Sequence, residues 1–216
     1  MAAFVACVVF ISQQDQFTPS SVLSAEQERQ YFGEQTALEV LGLLEVKGRA
    51  PKTGYERAQF GDGWAREGGL CDMRNIILAR DLTDVVVDNQ CRVQSGQLND
   101  PYTGQILLFR RGASTSQEVQ IDHVVALSDA WQKGAQQLSR EQRVALSNDP
   151  LNLLAVDGAA NQQKGDGDAA TWLPPFKPFR CQYVVRQLAV KQKYTLWVTP
   201  AEKAAMGDVL SSCVVR

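Results

Sequence analysis

The sequence has a single histidine, His123, and no C-x-x-C pair among its five cysteines. One imidazole is too few for a Cys/His zinc cluster, so a zinc site of that kind is excluded. Long apolar runs are absent too. The stretch MAAFVACVVFI, residues 1–11, falls short of the ~20 residues that a helix needs to span a bilayer. Its length suits the apolar segment of a secretory signal, although no Lys or Arg precedes it; a packed N-terminal segment is the alternative. Positive charge is in short supply: 22 Lys and Arg stand against 24 Asp and Glu, a net charge of −2. A uniformly cationic nucleic-acid binder is therefore disfavoured, and attraction for phosphate has to come from a local patch. There is no internal repeat, no low-complexity tract and no helix-turn-helix or zinc-finger signature. No module for reading base sequence is apparent.

What is present is ordinary for a folded domain: 44% hydrophobic and 21% charged residues over 216 positions, enough to bury a core without a metal. We expect residues 1–24 to be a signal-like and linker segment and residues 25–216 a single domain with its core over 104–172. Cys7 lies in the leader, which leaves Cys71, Cys91, Cys181 and Cys213, an even set that fits an oxidising compartment. Three pairings are possible. The sequence-local one, Cys71–Cys91 with Cys181–Cys213, closes two modest loops, each stabilising by roughly 3 kcal/mol in the chain-entropy model. Reduced cysteines in a cytosolic protein are the alternative.

Apolar residues at three- and four-residue steps predict a helix over 25–46, and a basic loop follows with Lys47, Arg49, Lys52 and Arg57. Solvation explains such loop charges, and phosphate contact stays open. A short helix is expected over 72–82, then paired strands at 85–87 and 91–93 around an Asp88-Asn89 turn. The turn Asp100-Pro101-Tyr102-Thr103-Gly104 leads into a strand at 106–109. Strands are expected over 119–125 and 152–156, with helices over 129–138, capped by Ser128, and 140–146. Helices over 181–194 and, behind the capping box Thr199-Pro200-Ala201-Glu202, up to Cys213 complete the chain. Helices, strands, helices make an α+β fold.

Phosphodiester hydrolysis needs an activated water and a cation to absorb charge on the transition-state oxygens. His123, whose imidazole titrates near neutral pH, suits the general base. Asp122 offers an anionic oxygen and Asn161 an amide oxygen, a set suited to Mg²⁺ or Mn²⁺. Adjacent strand residues face opposite ways, so Asp122 and His123 share a site only if the strand bends between them. Asn152 is placed to hydrogen-bond either the imidazole or the loop backbone. Lys164, one helical turn after Asn161, is a candidate phosphate ligand, as is Arg74; Arg74, Asp72 and Arg80 either line the cleft or pair among themselves. Asp166 and Asp168 read as a solvated helix end, and Trp131 and Trp172 as core. Lys177, Arg180, Arg186, Lys191 and Lys193 form an acid-free basic stretch, suited either to nucleic-acid backbone or to solvent.

The pair IDHVVALSDAW and NDPLNLLAVDGAANQQKGD resembles the HNH endonuclease superfamily, most of all its secreted bacterial members. The similarity extends through KGRAPKTGY, CDMRNIILARDL, DPYTG, WLPP and the C-terminal helices, roughly residues 41–213. It implies a ββα-metal core within a small mixed α+β domain, with His123 as base, Asp122 and Asn161 as ligands of one divalent cation, and Asn152 as an orienting residue. The cation implied is Mg²⁺ or Mn²⁺, with Zn²⁺ or Ni²⁺ as alternatives. The expectation is a secreted endonuclease of low sequence specificity acting on DNA, with RNA left open. No membrane contact of the mature form and no obligate protein partner is expected. The rival readings are a catalytically silent extracellular binding protein on the same fold, and a toxin-like effector whose residues 13–46 dock a partner.

Overall fold

In a computed structural model of the protein, residues 22–23, 25–67, 71–112 and 115–215 are described. The leader 1–11, with Cys7, lies outside them. In chain order the strands are β1 (Val22–Leu23), β2 (Arg66–Glu67), β3 (Cys71–Asp72), β4 (Thr83–Val87), β5 (Val93–Asn99), β6 (Ile106–Arg110), β7 (Val119–His123), β8 (Leu153–Asp157) and β9 (Val214–Val215). The helices are α1 (Ala25–Phe32), α2 (Ala37–Leu43), α3 (Met73–Asp81), α4 (Leu127–Gln132), α5 (Arg140–Asn148), α6 (Gly158–Lys164), α7 (Arg180–Lys193) and α8 (Pro200–Ser211). The fold is α+β, as its alternation of patterns predicts.

At its centre β7 pairs antiparallel with β8, from Val119↔Asp157 through His123↔Leu153. The chain leaves β8 through Asp157, whose side chain accepts from Ala160 N and so caps α6. The helix packs back on both strands. On that side lies the larger core, where Val124, Leu154, Val156 and Ala160 meet α2, α7 and α8. The other side of the hairpin carries Val119, Ile121, Leu153 and Ala155, which pack on α3 and the sheet β4-β5-β6. Trp131 is buried in a third cluster with Phe60 and Leu146, as core rather than as a stacking platform.

Two disulfides, Cys71–Cys91 and Cys181–Cys213, close the sequence-local loops. The end of the expected linker is structured: Val22–Leu23 pairs in parallel with Val214–Val215. The helix expected over 25–46 is two helices, because Gly33 takes φ +66 and Thr36 opens α2 with a capping box to Glu39. Ser128 does not cap a helix; it lies within α4 and donates to Asp166 Oδ2 at 3.0 Å. The box at Thr199 forms as expected, with Glu202 N donating to Thr199 Oγ1 at 3.1 Å.

Candidate active site

β7 keeps regular register through its last residue, so the bend that would bring Asp122 and His123 onto one side does not occur. Alternation then sends Gln120 and Asp122 toward α6 and His123 to the opposite side. The expected joint site is divided in two.

On the α6 side, Asp122 is buried and both of its oxygens are engaged. Lys164 Nζ donates to Oδ1 at 2.9 Å and to the His123 carbonyl at 2.8 Å; the Tyr102 hydroxyl donates to Oδ2. Tyr102 is delivered by the 100–104 turn, where Asp100 accepts from Thr103 N at 2.7 Å and from Asp157 N at 2.9 Å. The turn was legible in the sequence; the use of its tyrosine was not. Asn161 donates through Nδ2 to Gln120 Oε1 at 2.8 Å, which leaves its carbonyl oxygen as the acceptor of that amide. Among the described residues no group of three or more His, Cys, Asp or Glu is arranged to hold a metal ion. A carboxylate and an amide oxygen on facing elements still suit a hard cation that keeps most of its waters. The donors fit in kind, and they would hold such a cation in place of the Lys164 ammonium, which now sits on Asp122.

Lys164 and Arg74, the candidate phosphate ligands, both make bonds within the protein. Lys164 is buried against Asp122, and the Arg74 guanidinium is spent on the carbonyls of Ser116 and Val119 at 3.2 and 3.1 Å. Two of the five cations in the basic stretch 177–193 are turned inward. Arg186 is buried on the carbonyls of Leu151, Pro150 and Leu153, and Lys191 is buried against Glu202. Asp168 is not solvated either; it is buried between Arg49 and Lys133.

On the other side, His123 lines a cavity of about 230 Å³ with Arg57, Trp64 and Ser147. Its Nε2 lies 2.9 Å from the Ser147 carbonyl. A carbonyl only accepts, so Nε2 carries the proton and Nδ1 the lone pair. Trp64 stacks on the ring at 5.8 Å between centroids, tilted by 11°. The turn before it uses Gly61 and Gly63 at φ +105 and +130, backbone that other residues rarely adopt. Ser147 ties this loop to the site, since its hydroxyl donates to the Phe60 carbonyl. Neither Trp64 nor Ser147 was singled out in the sequence. Ser147 acts through its backbone, which no residue type announces; the Gly-x-Gly-Trp turn was the available signal for Trp64.

Burial, joined by the charges of Arg57 and Lys164, lowers the His123 pKa from 6.5 to about 3. The ring is neutral throughout the neutral range. Between those values the unfolded chain binds a proton that the folded protein refuses, so stability falls as pH falls through this window. This one group contributes a slope of at most about 1.4 kcal/mol per pH unit. Urea unfolding in EDTA between pH 4.5 and 6 is expected to lose that slope in His123→Gln. An unchanged slope would mean that the wild-type ring is already charged.

Asn152, fully buried, uses the backbone option rather than the imidazole. Its Oδ1 accepts from Val125 N at 2.8 Å, and its Nδ2 donates to the Val125 and Leu146 carbonyls, each at 3.3 Å. It pins the chain just after His123 to the end of α5, and is a positioning residue. Asn152→Ala strands a buried N–H and two carbonyls and is expected to cost about 1–3 kcal/mol, read from the urea midpoint. A smaller loss would mean that water replaces these bonds.

No solved structure matches this chain. It is 38% identical over 180 residues, 82% of this chain and 85% of the relative, to a protein of Arthroderma benhamiae described as an uncharacterized secreted protein. Residues 73–209 match the family described as GmrSD restriction endonucleases, C-terminal domain. That span contains β7, β8 and α6 with the His123, Asn152 and Asn161 motif, in accord with the resemblance to HNH nucleases. The chain belongs to the family of the C-terminal domain of GmrSD restriction endonucleases.

Proposed function

We propose that the protein is a secreted, metal-dependent endonuclease that hydrolyses DNA phosphodiesters with little sequence preference, built on a ββα core of β7, β8 and α6. The observation that carries this reading is the state of His123: a neutral ring in a cavity wall, its Nε2 proton held on the Ser147 carbonyl and its Nδ1 lone pair free to take a proton. In that role Nδ1 accepts a proton from water while the water oxygen bonds to phosphorus and the opposite P–O ester bond breaks. A ring of low pKa is a weak base, and the negative charge of a bound phosphodiester raises that pKa toward the useful range. Asp122 and Asn161 would hold a divalent cation on the α6 side of the hairpin, and positive charge for phosphate oxygens is the chemistry it would supply there. Tyr102 orients the Asp122 carboxylate, and Lys164 neutralises it in the metal-free state. Restriction endonucleases cut DNA, which supports DNA as substrate. Two disulfides and the relative's description support export.

Nicking of supercoiled plasmid by the protein with both disulfides intact tests the reading. Nicking with Mg²⁺ or Mn²⁺ and none in EDTA is expected. A folded protein that leaves plasmid intact with every divalent cation tried would sink it in favour of a binding protein.

A further inference from the structure

We infer that Arg57 binds the substrate phosphate in the His123 cavity. The inference rests on the function proposed above and adds the residue that holds the anion in place. Four basic residues punctuate the loop between α2 and the Gly61–Trp64 turn, and three are neutralised. Lys47 pairs with Glu45 at 2.7 Å, Arg49 with Asp129 and Asp168 at 2.8 and 2.7 Å, and Lys52 with Asp166 at 3.1 Å. Arg57 is exposed, and no ion pair to it is found among the described residues. It lines the same cavity as His123, and no Asp or Glu contributes to that lining.

The other cations near the hairpin are spent internally: Lys164 on Asp122, Arg74 on two carbonyls, Arg186 on three. Arg57 also stands on a firm base. It opens a short turn, Arg57–Phe60, whose last residue is buried and tied through its carbonyl to Ser147. The carbonyl of the same serine accepts the hydrogen bond from His123 Nε2, so a guanidinium fork and a general base hang from one anchor. A planar fork of five donors matches two phosphate oxygens at once. An unpaired guanidinium beside a neutral base, in an acid-free cavity several times the ~30 Å³ of one water, is an arrangement for an anion that is to be attacked.

The test is binding of a fluorescent DNA duplex in EDTA, by anisotropy over a series of NaCl concentrations, for wild type, Arg57→Gln and Lys52→Gln. Steady-state kcat and KM with Mn²⁺ are measured in parallel. Arg57→Gln is expected to weaken binding about tenfold and to reduce the salt slope by about one, and Lys52→Gln to change neither. Equal effects of the two variants, or none from Arg57→Gln, would overturn the inference, as would a wild type that binds no DNA. If wild type binds DNA but cleaves with no metal, the nuclease reading fails, and the anisotropy arm still decides on Arg57.

Discussion

His123→Ala is expected to retain both disulfides and the fold but to cleave plasmid about 10²–10⁴ times more slowly than wild type, the usual contribution of a positioned general base. The loss should fall on kcat, because the ring is needed when the proton moves and contributes little to holding DNA. His123→Gln is the second variant, since an amide can keep a bond to the Ser147 carbonyl yet takes no proton; it should be as slow as the alanine variant. Anisotropy on the same duplex should find both variants bound as tightly as wild type. Two results would sink the assignment: full activity in His123→Gln, which would make the ring structural, or a loss of binding equal to the loss of rate, which would make it a ligand. With Arg57→Gln alongside, proton transfer and phosphate binding separate. The histidine variants lower kcat; the arginine variant raises KM.

Local signals carried the sequence further for the scaffold than for the site. The β7–β8–α6 order followed from two apolar runs with a polar helix behind them, and the capping box at Thr199 fixed the start of α8. The disulfides followed from an even set of cysteines at modest spacing. Candidate site residues could be named from the sequence, but not the sides they face. Asp122 and His123 are adjacent in sequence, and only the pairing His123↔Leu153 reveals that the strand stays straight and parts them. Charges misled for a related reason. Lys164, Arg186, Lys191 and Asp168 read as facing phosphate or solvent, yet each is buried beside a partner on another element, such as Asp122 for Lys164 and Glu202 for Lys191. Periodicity locates apolar faces; it does not say which charges have an opposite waiting inside.

That interior pairing carries the largest expected effect on stability. Lys133, fully buried, lies 2.7 Å from each of Asp129, Asp168 and Glu202. Lys191, 3.0 Å from Glu202, and Arg49, on Asp129 and Asp168, complete a set of three cations and three carboxylates. The set joins the basic loop, α4, the segment after α6, α7 and α8, and its charges cancel. Lys133→Met keeps the volume of the stem but leaves one carboxylate in excess where water cannot reach it. Breaking one partner out of a buried pair costs about 3–5 kcal/mol, and that loss in unfolding free energy is expected at pH 7.5. The sign with pH is fixed as well. In wild type, burial works to raise the Asp168 pKa, but Lys133 and Arg49 hold it below the usual carboxylate range. With Lys133 gone, burial prevails, and the folded variant takes up a proton more readily than its unfolded chain. Its deficit relative to wild type should therefore shrink as pH falls from 7.5 to 5. A double variant, Lys133→Met with Glu202→Gln, restores neutrality and should regain part of the loss. If Lys133→Met unfolds at the wild-type urea midpoint across this range, the cluster contributes nothing net. The tie between the basic loop and the helices would then rest on packing alone.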